Sequence, residues 1–186
     1  MTDTGSRYQS DSDVAAGDAL KFAETVKVFG DHGTDAWVFD IDETLLSNLP
    51  YYKDHEFGLE KYDETAFNEW VDKAEALALP ASLNFYKELQ KLGFKIFLLT
   101  GRDECQRAVT EKNLKNAGYS NWERLILTGE SDSGTKAVVY KSKKRQELED
   151  EGYRIHGSSG DQWSDLLGSA VADRSFKLPN PMYYIA

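Results

Sequence analysis

The sequence predicts an α/β fold, a doubly wound parallel sheet with helices on both faces and a small helical cap inserted after the first strand. Three observations carry this. Short apolar runs (Trp37 to Ile41, Lys95 to Leu99, Arg124 to Leu127, Tyr153 to His156) alternate with amphipathic stretches of helical period. Strands separated by helices imply crossover connections and parallel pairing. Polar groups follow several of the runs, where open α/β sheets bind ligands.

Residues 1–13 are rich in Ser, Thr and Asp and offer little to bury, so they read as a flexible arm. A single domain is expected over 14–186. Ala15, Ala19, Phe22, Ala23, Val26 and Phe29 recur at threes and fours, which predicts a helix from Val14 to Phe29 ended by Gly30-Asp31-His32-Gly33. Trp37 to Ile41 form the first strand. The stretch 47–80 is too long for an ordinary strand-to-helix loop and is read as a cap, helical around Thr65 to Ala76, with Tyr51, Tyr52, Phe57 and Trp70 as its core. A helix over Ala81 to Leu92 stops at Gly93. After the strand from Lys95 to Leu99, Asp103 to Ala117 is the next helix, and Val138 to Glu151 follows the third strand. Ser175 to Leu178 is the fifth strand; Gly157 to Gly160 reads as loop.

With 186 residues and 40% hydrophobic content, the chain is long enough to bury a core without staples. A net charge of −10 speaks against nucleic-acid or membrane-surface partners and obliges any phosphate site to carry its own positive charge. No apolar run is long enough to span a bilayer. One cysteine, Cys105, excludes an intramolecular disulfide and a thiolate zinc site. Three scattered histidines lack metal-ligand spacing, and His156 is assigned a structural role. Gly129 to Lys136 nearly spells a phosphate-binding loop, but its last two residues are reversed and it holds two acids where phosphates would lie. Oligomeric state is open, homo-oligomers included.

Asp40 and Asp42 end the first strand, Thr100 follows the second, and Asp161 and Asp165 follow the fourth. Along one sheet edge these groups can converge. With a lysine from the helix holding Lys141, Lys143 and Lys144, they suit a divalent cation and a phosphoryl group.

These stretches, FDIDETLLSN, FLLTGR, YKSKKRQELEDEGYRIHG and GDQWSDLLG, with the tail RSFKLPNPMYY, resemble the haloacid dehalogenase superfamily. They are similar in particular to its subfamily IIIB, the plant acid phosphatases and vegetative storage proteins related to class B acid phosphatases. The resemblance implies hydrolysis of small phosphate monoesters through an aspartyl-phosphate on Asp40, with Asp42 as general acid and base. It implies Mg2+ held by Asp40, the Asp42 carbonyl and Asp161, with Asp165 behind them orienting a metal-bound water. Thr100, Gly101 and Arg102 would hold phosphate oxygens, and Lys141 would supply the positive charge, with Lys143 and Lys144 remaining open; Thr44 would steady the turn. On an extended chain positions i and i+2 face the same way, which suits two carboxyls at one phosphate. The alternative function is a vegetative storage protein with weak or no phosphatase activity. The resemblance implies a secreted or vacuolar compartment if a signal peptide has been removed.

Overall fold

The computed structural model describes residues 4–28 and 33–185. It contains a five-stranded parallel sheet in the order β5-β4-β1-β6-β7 and a separate antiparallel pair, β2-β3. The sheet strands are β1 (Asp35–Phe39), β4 (Lys95–Asp103), β5 (Arg124–Thr128), β6 (Arg154–Gly160) and β7 (Arg174–Lys177); β2 is Leu46–Ser47 and β3 Leu77–Ala78. The helices are α1 (Thr4–Thr25), α2 (Leu49–Asp54), α3 (Glu64–Lys73), α4 (Pro80–Leu92), α5 (Arg107–Asn116), α6 (Ala137–Asp150) and α7 (Trp163–Leu166).

All five residues of β1 are buried, which places it between two apolar layers. Trp37 and Phe39 face one of them, with Ala19 and Ala23 of α1 and Phe85, Tyr86 and Leu89 of α4. Ala36 and Val38 face the other, with Tyr140 and Leu148 of α6. The period-two alternation of a strand is thus satisfied by apolar contacts on both sides, as a doubly wound sheet requires.

Several expectations fail, two of them over whole stretches of backbone. The stretch read as an arm over 1–13 is helical from Thr4 onward and belongs to α1. Its polar side chains make specific ties: buried Ser12 donates from Oγ to the Tyr8 carbonyl at 2.8 Å, and the Tyr8 hydroxyl donates to Glu43 at 3.3 Å. At the other end of this helix, the proposed stop at Phe29 and Gly30-Asp31-His32 lies outside the described residues. The second failure is Gly157 to Gly160, which continue β6 instead of forming a loop. Small residues are needed there by contact: a Cβ on Gly157 would lie 2.4 Å from the Trp37 ring, and one on Gly160 would lie 2.3 Å from Asp165. The Trp37 indole N–H also donates to Ser159 Oγ at 3.0 Å.

The insertion is built as expected from α2, a short 3-10 turn at Glu56–Gly58 and α3, joined to the sheet domain through β2 and β3. Asp63 caps α3 by accepting from the N–H groups of Thr65 and Ala66. Its own small core joins Tyr51 and Tyr52 to Phe67, Trp70 and two residues of the tail, Met182 and Tyr183. Phe57 is not part of that core; it is 55% exposed, with φ +55° in the 3-10 turn.

Gly157→Ala should lower unfolding stability by about 1–3 kcal/mol, because the methyl must displace a fully buried indole. Urea unfolding followed by Trp fluorescence measures this, and an unchanged midpoint would show that Trp37 gives way freely.

Candidate active site

The carboxyl ends of β1 and β6 and the buried face of α6 bring four acids and a lysine together. Asp40 follows β1 directly, and its N–H donates to the Ser159 carbonyl of β6 at 3.0 Å. The chain then turns: the N–H groups of Leu45 and Leu46 both donate to the Ile41 carbonyl, and Glu43 takes φ +57°. Asp40 and Asp42 therefore reach one cleft through a tight turn, not as alternate residues of an extended strand.

Lys141 Nζ donates to Asp40 Oδ1 at 2.6 Å and to Asp165 Oδ1 at 2.5 Å, and all three side chains are at most 8% exposed. Of the three lysines left open by the sequence, Lys141 is the one the fold brings to these acids. Lys143 is exposed, and Lys144 pairs with Glu147. Thr44 Oγ1 lies 3.3 Å from both Asp40 Oδ2 and Asp161 Oδ1, steadying the pair. Asp161 Oδ2 accepts from Gln162 Nε2 and Asn180 Nδ2, at 2.6 and 2.8 Å. Asp165 Oδ2 accepts the Gln162 N–H at 2.8 Å, so both its oxygens are occupied.

Arg102 is placed differently from its expected phosphate contact. Its guanidinium donates from Nε to Asp42 Oδ2 at 3.0 Å and from Nη2 to Asp42 Oδ1 at 2.7 Å. Thr100 is buried and its hydroxyl accepts the Arg102 N–H at 3.1 Å, whereas Gly101 lines the cleft. The cleft measures about 530 Å3; Asp40, Asp42, Arg102, Lys141 and Asp161 lie on it, facing Tyr52, Tyr62 and Tyr183.

The charges do not cancel within this cluster. Burial pushes the Asp40 carboxyl well above its usual range, Lys141 opposes this, and Asp165, Asp161 and Asp42 add to it. Burial and Asp165 likewise raise Asp161. Burial would raise Asp42 too, but the Arg102 charge and hydrogen bonds, with that of Asn48, outweigh it and hold Asp42 below the carboxylate range. Lys141 is held charged: its burial is outweighed by Asp165 and Asp40. One oxygen from each of Asp40, Asp161 and Asp165 lies within 4.8 Å of the others. An all-oxygen, buried and under-compensated donor set fits a hard divalent cation such as Mg2+. Asp40 Oδ2 and Asp161 Oδ1 meet only the long Thr44 contacts at 3.3 Å, whereas both oxygens of Asp165 are held at 2.8 Å or less.

Several residues of the site escaped sequence reading. Asn48 is fully buried and is a three-way junction: its N–H donates to Glu43 at 2.6 Å, its Nδ2 to Asp42 at 2.8 Å, and its Oδ1 accepts from Trp70 of the cap at 2.9 Å. Only its place in FDIDETLLSN hinted at this. Glu43, between the two motif acids, is fully buried, and burial pushes its carboxyl up to about 8. Arg145, on the same lysine-rich helix, is fully buried. His156 is structural as expected, bridging Asp35 and Asp173 at 2.6 and 2.9 Å.

Residues 1–186 match the family described as HAD superfamily, subfamily IIIB (Acid phosphatase). The chain is 55% identical over 181 residues to Acid phosphatase 1 of Solanum lycopersicum, covering 97% of this chain and 71% of that protein. It is 39% identical to Vegetative storage protein 2 of Arabidopsis thaliana, covering 98% and 68%. Among solved structures, the class C acid phosphatase of Bacillus anthracis superposes with a TM-score of 0.80 at 25% identity, over 98% of this chain and 81% of that one.

The Glu43 shift has a testable sign. Its carboxyl titrates near 4.5 when unfolded and near 8 when folded, so its contribution to stability is full below 4.5 and is lost as pH climbs to 8. Glu43→Gln stays neutral throughout. In chelator-containing buffer its Tm relative to wild type should rise steadily from about pH 5 to about pH 8; a constant difference would mean that Glu43 folds ionised.

Proposed function

The chain belongs to subfamily IIIB of the HAD superfamily, the acid phosphatase subfamily, and on that premise we propose that it hydrolyses small phosphate monoesters through an aspartyl-phosphate on Asp40. The observation that carries this reading is the buried contact of Asp40 with Lys141, open to a cleft large enough for a small ester. Lys141 occupies Oδ1 and fixes the carboxylate plane, while Oδ2, bound only by the long Thr44 contact, is the free face for attack on phosphorus.

In the first transfer an Asp40 oxygen forms a bond to phosphorus as the ester P–O bond breaks. The departing alkoxide needs a proton, and Asp42 is the acid beside it. In the second transfer water attacks the aspartyl-phosphate, gives its proton to Asp42 and returns Asp40 as a carboxylate. Arg102 links these roles. To touch the phosphoryl group its guanidinium must loosen its fork on Asp42, and loosening removes the charge that keeps Asp42 ionised. The arginine thus favours the base when on Asp42 and the acid when drawn to phosphate. Bound Mg2+, held by Asp40, the Asp42 carbonyl and Asp161, would neutralise phosphate charge. The backbone of Gly101 lies at the phosphate end, with Thr100 behind it holding the Arg102 N–H, and the tyrosine wall offers an apolar platform to the leaving group.

A storage role is supported by the likeness to Vegetative storage protein 2. Abundance and catalysis are compatible, and Asp40 keeps the nucleophile that a purely storage chain would not need.

Wild-type protein with Mg2+ should release phosphate from 4-nitrophenyl phosphate at mildly acidic pH. Asp40→Asn should lower kcat by at least about a thousandfold, and EDTA should silence the enzyme until Mg2+ is restored. Turnover retained by Asp40→Asn at more than a few per cent rejects the nucleophile. Activity indifferent to EDTA rejects the metal, and no turnover by wild type leaves storage as the function.

A further inference from the structure

α6 grips the acidic turn after β6 at two levels. Lys141 reaches the Asp165 side chain, and Arg145, one helical turn further on, reaches its backbone. The Arg145 guanidinium donates from Nη1 to the Asp165 carbonyl at 2.6 Å, from Nη2 to that of Leu167 at 2.5 Å and from Nε to that of Ala170 at 3.0 Å. Asp165 and Leu167 sit at the C-terminus of the four-residue α7, where helix geometry leaves carbonyls without intrahelical donors.

Burying this cation on neutral acceptors is expensive. Arg145 is 0% exposed, its hydrogen bonds go to carbonyls, and burial pulls its pKa down against the favourable field of Asp165. Closing a surface loop does not call for a guanidinium. What it secures here is a bent segment in close contact with the catalytic cluster. Gly168 has φ +106° and no room for a Cβ, which would lie 2.6 Å from Ser142, and Ala170 has φ +52°. Ser142 Oγ receives the Ser169 N–H at 2.8 Å. At the other end Asp165 packs against Gly160 so tightly that a Cβ there would strike it at 2.3 Å. Shifting the 165–170 backbone would carry the Asp165 carboxylate off Lys141 and off the Gln162 N–H, loosening Asp161 next door.

We propose that Arg145 is a positioning residue for the divalent-cation site, holding the 165–170 backbone so that Asp165 keeps Lys141 and the Asp161 turn in place. This rests on the reading of Asp40 and Asp161 as ligands of Mg2+. Arg145 touches neither substrate nor metal, and it acts through Asp165.

Calorimetric titration of Mg2+ into wild type, Arg145→Lys, Asp165→Asn and the double variant tests this, with circular dichroism confirming that each is folded. Lysine keeps the charge but not the fork, so Arg145→Lys should raise the Mg2+ Kd about 10-fold or more, the range for residues that orient metal ligands. In the Asp165→Asn background the same change should add less than about twofold, because its route to the metal is gone. A Kd within twofold of wild type for Arg145→Lys overturns the proposal, as do independent, multiplying effects; a merely structural staple would lower Tm and leave Kd alone. Should Arg145→Lys not fold, Gly168→Ala displaces the same carbonyls from the opposite side, and an unchanged Kd there overturns it equally. Failure of wild type to bind Mg2+ would reject the metal reading itself, and this proposal with it; wild-type binding with an indifferent Arg145→Lys rejects Arg145 alone.

Discussion

The ammonium of Lys141, seated between Asp40 and Asp165, is the interaction on which the rest of the site depends. The chain carries a net charge of −10 and gathers four acids at one site, three of them lining the cleft and Asp165 behind them. Without a buried cation there, Asp40 and Asp165 would repel each other and the Asp40 carboxyl, already pushed up by burial, would be pushed up further, and a protonated carboxyl is a poor nucleophile. One lysine is not enough to settle every charge, and the residual excess of carboxylate is what a bound cation would offset. The acidity of the whole chain and the anionic substrate are reconciled within a few ångströms.

The sheet makes this arrangement affordable in conformational terms. β1 and β6 pair directly, so Asp40 and Asp161, each the first residue past its strand, emerge on the same sheet edge, and the helix after β5 delivers Lys141 from the side. The cores on the two faces hold these elements rigidly, and Gly157 lets the central Trp37 lie against β6. Precision at the acids is inherited from packing beneath them.

The parallel order of elements, the cap and the polar groups at strand ends were legible because each leaves a local signature: periodicity, insertion length or a short motif. Asp40, Asp42, Lys141, Asp161 and Asp165 could be named for this reason. Arg145 and Asn48 could not, since their functions consist of hydrogen bonds to residues whose positions only the folded chain reveals. Composition misled at two places. Serines and aspartates made the first turns of α1 look unstructured although Tyr8 and Ser12 anchor them, and the Gly-Ser run of β6 looked like loop although a bulky neighbour demands small residues. Arg102 lies on the cleft and forks onto Asp42, a partner that its place at a strand end could not specify.

The tail segment 180–185 binds the site as well as the cap. Asn180 donates to Asp161, the Ile185 N–H donates to Gln162 Oε1, and Met182 and Tyr183 fill the core against Tyr51 and Tyr52. One short segment therefore bears on the acids and on the cap at once, so that a displacement of Asn180 or Tyr183 would be felt both at Asp161 and in the packing of Tyr51 and Tyr52.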